Sequence, residues 1–375
     1  MIPQPVLVTG GAGFIGSHLV ESLLAQGLTV RVLDNLDPQV HGPGATHPAL
    51  LPPGVEFFHG SVTDRAMVDR VLNGVRSVVH LAAAVGVGQS MYAIAPYVET
   101  NSLGTATLLD VMVNGGHSVK RLVVASSMSI YGEGAYRCPR CGPCAPPLRE
   151  AAQFEAKRWE LVCPSCGGTV DPVPTPESKP LAPTSIYAIT KRDQEEMCLC
   201  IGRAYGIPTT ALRFFNVYGE RQALSNPYTG VAAIFSACLL NDQPPLIYED
   251  GRQSRDFIHV SDIVQAVLLV LDRPEADYRV FNVGTGLATT VAEVAVLLAD
   301  SLGKRIPPRI LQTFRAGDIR HCVGDVTQIT TALGFRPRTP FQEGMTRLIG
   351  WIKGQRPQEG TRKADAILRD RGLVK

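Results

Sequence analysis

Tyr187 and Lys191 stand four residues apart in the run Ser185-Ile-Tyr-Ala-Ile-Thr-Lys191. On a helix that spacing puts both side chains on one face. An ammonium beside a phenol favours the phenolate and lowers a pKa that is otherwise about 10. A phenolate available near neutral pH is a usable general base. Alone, the pair is equally an ordinary surface contact on a helix, so its meaning depends on its surroundings. A second set of reactive side chains is Cys138-Pro-Arg-Cys141-Gly and Cys163-Pro-Ser-Cys166-Gly. Two Cys-x-x-Cys knuckles at this separation match a four-thiolate zinc site, and the glycine after each suits the knuckle turn. Disulfides or unliganded thiols are the competing readings. Four thiolates leave no open position for water, so the zinc would be structural. Cys144 is an extra thiol that could replace Cys141. Cys198, Cys200 and Cys238 fall in helical patterns and read as core residues.

The elements that must position these groups alternate between strand and helix. An apolar strand over 5–9 runs into Gly10-Gly11-Ala12-Gly13-Phe14-Ile15-Gly16, followed by a helical pattern that stops at Gly27. Glycines in that context let a backbone approach a pyrophosphate, which then sits on the helix N-terminus. A strand over 29–33 ends in Asp34, a carboxylate suited to adenosine ribose hydroxyls and unsuited to a 2′-phosphate, which favours NAD over NADP. Further strands are read up to Gly60, over 77–81 and over 121–125, with a helix over 101–114 and a loop over 38–54. Strands alternating with helices make a parallel, doubly wound sheet whose ligands bind at the carboxyl ends of the strands. The glycine loop, Ala82 and Ser127 all lie at those ends.

The chain has 375 residues and a net charge of +2, which gives no reason to expect nucleic acid or an anionic membrane as partner. No run approaches the length of a transmembrane helix, and the N-terminus lacks the pattern of a signal peptide, so a cytoplasmic location is expected.

Gly10-x-x-Gly13-x-x-Gly16, the serines before Tyr131-Gly132, and Tyr187-x-x-x-Lys191 together resemble the extended short-chain dehydrogenase/reductases, specifically the NAD-dependent nucleotide-sugar epimerases and dehydratases. Arg213-Phe-Phe-Asn216-Val-Tyr-Gly219, Arg255-Asp-Phe-Ile-His-Val260 and Phe281-Asn-Val-Gly284 agree with it. The resemblance implies a Rossmann-type NAD-binding domain over 1–215, interrupted by a zinc-ribbon-like insert over 134–178. A smaller α/β substrate domain would follow over 216–375, with 259–285 returning to the first domain. It implies a catalytic Ser127, Tyr187 and Lys191: Tyr187 takes a proton from a sugar hydroxyl while hydride passes to NAD, Ser127 bonds the same oxygen, and Lys191 holds the nicotinamide ribose and keeps Tyr187 ionised. The cofactor would be held by Gly10, Gly13, Phe14, Ile15, Gly16, Asp34, Asn35, Ser61, Val62, Leu81, Ala82, Ala83 and Asn101, together with Tyr187 and Lys191. Asn216 would contact the diphosphate or sugar, Arg255 and Arg315 the diphosphate, and Asp318 would accept from the nucleotide ribose; the family implies a homodimer through the helices near 101–114 and 186–205.

The departures from the family pattern are informative. Dehydratases of the family carry Asp-Glu directly after the catalytic Ser/Thr, whereas this chain has Met128 and Ser129. A thioether cannot transfer a proton. The Glu that decarboxylating relatives use there is missing too, so epimerisation is favoured. Ser61 stands where an Asp near the adenine is common, and Val85 where galactose epimerases have a Lys. Cys322 falls at a position that gates sugar size in those enzymes. The cysteine insert and the run Ala223–Gly230 are similar to dTDP-L-rhamnose 4-epimerases, which implies a dTDP-6-deoxyhexose substrate; a UDP-sugar or UDP-uronate epimerase is the alternative. From another class comes a non-catalytic NAD-binding regulator using the zinc insert as its contact surface. The insert is expected to form a lid or wall over the sugar site, because both its ends lie beside catalytic residues. The tail, with a helical pattern over 363–371, is expected to be a solvated terminal helix.

Overall fold

In the computed structural model, which describes residues 1–357 and 360–375, seven parallel strands form the central sheet. Their order is Val280–Val283, Thr209–Phe214, Arg121–Ser127, Ser77–His80, Val6–Thr9, Val30–Asp34 and Glu56–His59. The Val6–Thr9, Ser77–His80, Arg121–Ser127 and Thr209–Phe214 strands are buried along their whole length. Strands covered on both faces have no solvated side, which is why they read as near-continuous apolar runs. The chain first winds outward from Val6–Thr9 to one edge and then crosses to Ser77–His80 on its other side. The carboxyl ends of these two neighbouring strands therefore open onto a crevice at a topological switch point.

Helices cover both faces. On one, Phe14–Ala25 and Val260–Asp272 bury Leu19, Val20, Leu23, Ile263, Val267 and Val270 against the sheet. On the other, Arg65–Leu72, Gly104–Asn114 and Ile186–Tyr205 bury Val68, Val71, Leu108, Met112, Cys198 and Leu199. The Ile186–Tyr205 helix carries the Tyr-x-x-x-Lys pair. It starts where the Ser185 side chain accepts from the Ala188 amide and ends at Gly206 in the left-handed region. Both are ordinary helix signals. Its inward face includes Lys191, Gln194 and Glu195, polar groups that the sheet must satisfy.

A third core, centred on helices Val231–Leu240, Val291–Ser301 and Phe341–Ile352, belongs to the second half of the chain. The cysteine insert is a separate three-stranded antiparallel sheet of Gly142–Cys144, Ala135–Cys138 and Asp171–Val173.

Several local expectations need correction. The fifth strand does not stop at Ala125: Ser126 and Ser127 stay in the ladder opposite Arg213 and Phe214, because neighbouring backbone supplies the pairing that two serines do not advertise. The helix expected over 101–114 opens with a π-helical turn, Val98–Leu103, and is α-helical from Gly104. A short helix, Pro38–His41, interrupts the loop read over 38–54. Cys198 and Cys238 are buried, but Cys200 faces outward on its helix and is no core residue.

Candidate active site

A cavity of about 790 Å³ opens at the switch point and runs into the second half of the chain. Its walls bring together Gly10, Gly13, Phe14, Ile15, Gly16, Asp34, Asn35, Ser61, Val62, Leu81, Ala82, Ala83, Ser127, Tyr187, Lys191, Asn216, Arg255, Arg315 and Asp318. Segments distant in sequence converge because the parallel sheet ends all its strands on this side.

The glycine loop is shaped for a ligand. Gly10 has a φ of +68°, and a β-carbon there would sit 2.8 Å from the Ala82 amide nitrogen. At Gly16 it would sit 2.4 Å from the Gly10 carbonyl oxygen, so this glycine seats the helix against the turn. Gly13 is different, since its missing side chain leaves space on the cavity side and only the Gly10 carbonyl oxygen comes as near as 3.4 Å. Gly13 is also the N-cap of Phe14–Ala25 and supplies no side-chain cap, which leaves first-turn amides available to an anion. Asp34 is buried at the next strand end. Its Oδ2 accepts from the Ala12 amide at 3.0 Å and its Oδ1 from the Leu36 amide at 2.9 Å, which fixes the carboxylate in place. These features fit a dinucleotide.

Asn101 does not stand on the cavity wall. It is fully buried, its Oδ1 accepts from the Ala84 amide at 2.7 Å, and its Nδ2 donates to the Ala84 carbonyl and to Thr190 Oγ1. Its part is to brace the backbone after the Ser77–His80 strand rather than to touch a cofactor. Ser61 lines the cavity with its hydroxyl in contact with Thr63 Oγ1 at 2.8 Å.

Tyr187 and Lys191 share the inward face of their helix, but they are not the simple pair that the spacing implies. Lys191 Nζ donates to Gln194 Oε1 at 2.8 Å. Burial pushes this lysine down to about 8, since a desolvated ammonium is disfavoured. Burial also raises the Tyr187 phenol, and its hydrogen bond with Ser127 offsets part of that shift. The dominant influence on Tyr187 is therefore desolvation, with Ser127 as the group that counters it. Ser127 Oγ in turn accepts from Ser129 Oγ at 2.9 Å and from the Ser129 amide at 3.2 Å. Gln194 Nε2 contacts His80 Nε2 at 3.1 Å, and His80 is pushed down to about 3 by burial and so is neutral. The Lys191 charge thus sits at the end of a neutral buried chain of hydrogen bonds.

At the far end of the cavity, Asn216 Oδ1 is buried without a hydrogen-bond partner, as are Gln222 Oε1 and Gln253 Oε1. Buried acceptors of this kind are normally satisfied by a partner or an ordered water. Arg255 donates from Nη1 to the Ser254 and Arg320 carbonyls and from Nη2 to the Ile319 carbonyl, at 2.8–3.0 Å. Among the described residues no carboxylate pairs with it, which leaves its charge free for an anion. Arg315 lies over the Tyr248 ring at 4.8 Å and donates from Nε to Asp318 Oδ2 at 2.9 Å.

Three further expectations fail here. Cys322 does not line the cavity; it is 1% exposed and packs with Met128, Tyr131, Phe215 and Ile319. Its size therefore cannot widen the sugar site directly. The insert supplies no wall of the cavity either. It stands behind the wall, where Arg149 forms two hydrogen bonds to Glu249 at 3.0 and 2.9 Å, and Glu249 also binds Arg320 at 2.9 Å. The tail is not a solvated helix, because Thr361, Ala364, Asp365 and Leu368 face the cavity.

The cysteine expectations are geometrically coherent. The sulfurs of Cys138, Cys141, Cys163 and Cys166 all lie within 4.8 Å of one another, and Cys144 is outside that cluster. Backbone amides of Cys166 and Ser165 lower the Cys163 thiol, while hydrogen bonds with Cys166 and Cys163 raise that of Cys141.

Sequence reasoning missed Gln194, Ser90 and the tail. Ser90 Oγ accepts from the Tyr187 amide at 3.0 Å and ties the start of the Ile186–Tyr205 helix to the short Val87–Ser90 helix. Gln194 carried a readable signal, being one turn beyond Lys191 on the same face.

The chain belongs to the NAD dependent epimerase/dehydratase family, whose model matches residues 6–159 and 148–284. It is 35% identical over 351 residues to the dTDP-L-rhamnose 4-epimerase of Burkholderia thailandensis, covering 93% of this chain and 95% of that one. Among solved structures it resembles the UDP-glucose 4-epimerase of Thermotoga maritima with UDP-glucose, with TM-score 0.75, 31% identity and coverage of 93% and 98%. It also resembles the UDP-glucose 4-epimerase of Thermus thermophilus in complex with NAD, with TM-score 0.72, 33% identity and coverage of 93% and 99%. Among the described residues no helix is long and apolar enough to cross a membrane.

Proposed function

We propose that this protein is an NAD-dependent nucleotide-sugar 4-epimerase acting on a dTDP-6-deoxyhexose such as dTDP-L-rhamnose. The observation that carries the reaction type is the surroundings of Ser127 and Tyr187. The next residue, Met128, packs its thioether into the cluster with Tyr131 and Phe215 and has no proton to give. The cavity carboxylates are committed elsewhere: Asp34 and Asp37 to backbone amides, Glu249 to Arg149 and Arg320, Asp318 to Arg315, and Asp365 to Tyr248. Among the described residues no carboxylate hydrogen-bonds Ser127 or Tyr187. The site can move one proton at one hydroxyl, which epimerisation requires, and lacks the second acid or base that loss of water requires.

In this reading NAD, held by the glycine loop and Asp34, supplies the hydride chemistry at the sugar carbon. Tyr187 takes the hydroxyl proton and later returns it. Ser127 bonds the same oxygen and keeps the phenol poised. Lys191 holds its charge beside the site. Asn216 contacts the diphosphate or sugar, Arg255 and Arg315 hold the diphosphate, and Asp318 accepts from the nucleotide ribose. The dTDP-L-rhamnose assignment is supported by the Burkholderia thailandensis relative. A UDP-sugar is the second reading, favoured by the two structural neighbours. The test is incubation of purified protein, with no added cofactor, with dTDP- and UDP-sugars and NMR of the products. A C4-inverted product of unchanged mass from dTDP-L-rhamnose is expected. Turnover of UDP-sugars alone would overturn the substrate, and loss of water would overturn the reaction type.

The four-cysteine cluster is read as a structural zinc site holding the insert together. A homodimer through the helices of the Rossmann half is supported by Val98, Leu103 and Ile189, large apolar side chains 43–53% exposed beside or on those helices; a monomer mass in light scattering would refute it. Nine cysteines, with no disulfide among the described residues, support a cytoplasmic location; recovery of the protein from a secreted fraction would refute that.

A further inference from the structure

The C-terminal segment, 360–375, touches both halves of the cleft. The helix Thr361–Asp370 buries Ala364 and Leu368 and turns both toward the cavity, with Asp365 between them. Asp365 Oδ1 accepts from the Tyr248 hydroxyl at 2.5 Å, and its Oδ2 accepts from Arg369 Nε at 2.7 Å. The Tyr248 ring lies under the Arg315 guanidinium. Beyond the helix, Val374 pairs with Arg315 in an antiparallel bridge. On either side of that bridge Phe314 and Lys375 exchange amide hydrogen bonds at 3.0 and 3.1 Å, and the Ala316 amide donates to the Leu373 carbonyl at 2.9 Å. Arg315 is thereby gripped twice by the tail, once through its own backbone and once through the aromatic ring beneath it. The other end of the contact is on the cofactor side. Leu368 packs on Gly88, and Arg371 lies 4.6 Å over the Tyr92 ring.

We propose that residues 360–375 are a positioning element for the nucleotide end of the substrate. The tail closes the cavity between the two halves and holds Tyr248 and Arg315 where a nucleoside diphosphate binds, with Asp365 as the positioning residue that acts through Tyr248. Phosphate recognition by a guanidinium depends on its orientation as well as its charge. A tail that fixes Arg315 before the ligand arrives lowers the ordering cost of binding. The reacting carbon is at the other end of the cavity, beside Tyr187. Loss of the tail contacts therefore weakens substrate binding and leaves the chemical step largely alone, which is a KM effect. The inference rests on the nucleotide-sugar reading for the ligand class only, and its test does not require that the sugar be known.

The experiment uses calorimetric titration of UDP and of dTDP into the full chain, into D365A, into D365N and into a chain lacking residues 360–375. NAD content and melting curves of each are recorded alongside. D365A is expected to bind both nucleotides about tenfold more weakly with unchanged NAD content, and the shortened chain at least as weakly. D365N keeps an acceptor for the Tyr248 hydroxyl and is expected to recover most of the loss. With an active sugar, KM should rise in D365A by the same factor while kcat stays within twofold. Should the shortened chain fail to fold, D365A decides alone. Nucleotide affinity within twofold of wild type in D365A, or a fall in kcat at constant KM, would overturn the proposal. D365N as weak as D365A would overturn the route through Tyr248. If no sugar nucleotide turns over, the functional reading fails while the two titrations still judge the tail.

Discussion

Replacing Arg149 by methionine tests how the insert is joined to the wall of the active site. Arg149 and Glu249 have side chains 1% and 3% exposed, and the pair is bidentate. Breaking a buried ion pair by deleting one partner costs about 3–5 kcal/mol, because the other charge is left uncompensated. Glu249 still keeps Arg320 Nη1 at 2.9 Å, and methionine can retain part of the packing over Phe154, where the guanidinium sits 4.5 Å from the ring centre. The lower figure, about 3 kcal/mol, is therefore expected. With an unfolding entropy of about 2.1 cal/mol/K per residue, a chain of this length has roughly 0.8 kcal/mol/K, so Tm should fall by about 4 °C. The second arm is R149M/E249Q. Glutamine removes the stranded charge, so the double variant should lose less than the two single variants summed, by about 1.5 kcal/mol or more. The deficit also has a pH sign. Burial already holds Glu133 above the usual carboxylate range, and Arg149 is the largest influence opposing that shift. A carboxyl whose folded pKa is raised contributes stability at low pH and loses it as pH rises through that pKa. R149M should accordingly be hurt more at pH 8 than at pH 5. Thermal melts of the four proteins at both pH values are the assay. An R149M chain melting within 1 °C of wild type, or strictly additive losses, would refute the claim that this buried network ties the insert to the cavity wall.

Tyr187→Phe should lower kcat roughly 10²–10⁴-fold, the usual worth of a positioned acid–base group, with NAD content unchanged; a loss under tenfold would remove Tyr187 from that role. The rate should climb with pH as the Tyr187 base form grows, because burial raises that phenol, and should level off above about 8, where loss of the Lys191 proton offsets the gain. K191R, which stays charged, should go on climbing past that point; an unchanged break near 8 would assign it to another group. Elemental analysis of the purified protein should find one zinc per chain, and C163S should lose it together with the insert's resistance to protease; stoichiometric protein free of metal with an equally resistant insert would refute the zinc reading.

The parts of this protein that sequence alone determined are those fixed by local covalent constraints. The glycine loop is legible because Gly10 must take a positive φ and Gly16 must meet a carbonyl. Tyr187 and Lys191 are legible because 3.6 residues per turn puts them on one face, and the cysteine knuckles because four thiols recur at a fixed spacing. The order of strands and helices follows from the same periodicities. What only the tertiary structure decided are relations between residues far apart in the chain. Whether Lys191 addresses Tyr187 or Gln194 depends on which groups the sheet buries around them. Whether Cys322 borders the sugar site depends on how Phe215 and Tyr131 pack over it. The insert sits behind the wall because Arg149 finds Glu249, 100 residues away, and the tail is part of the site because Asp365 finds Tyr248. Such pairings contribute nothing to local propensity; their energies arise only when folding removes both partners from water.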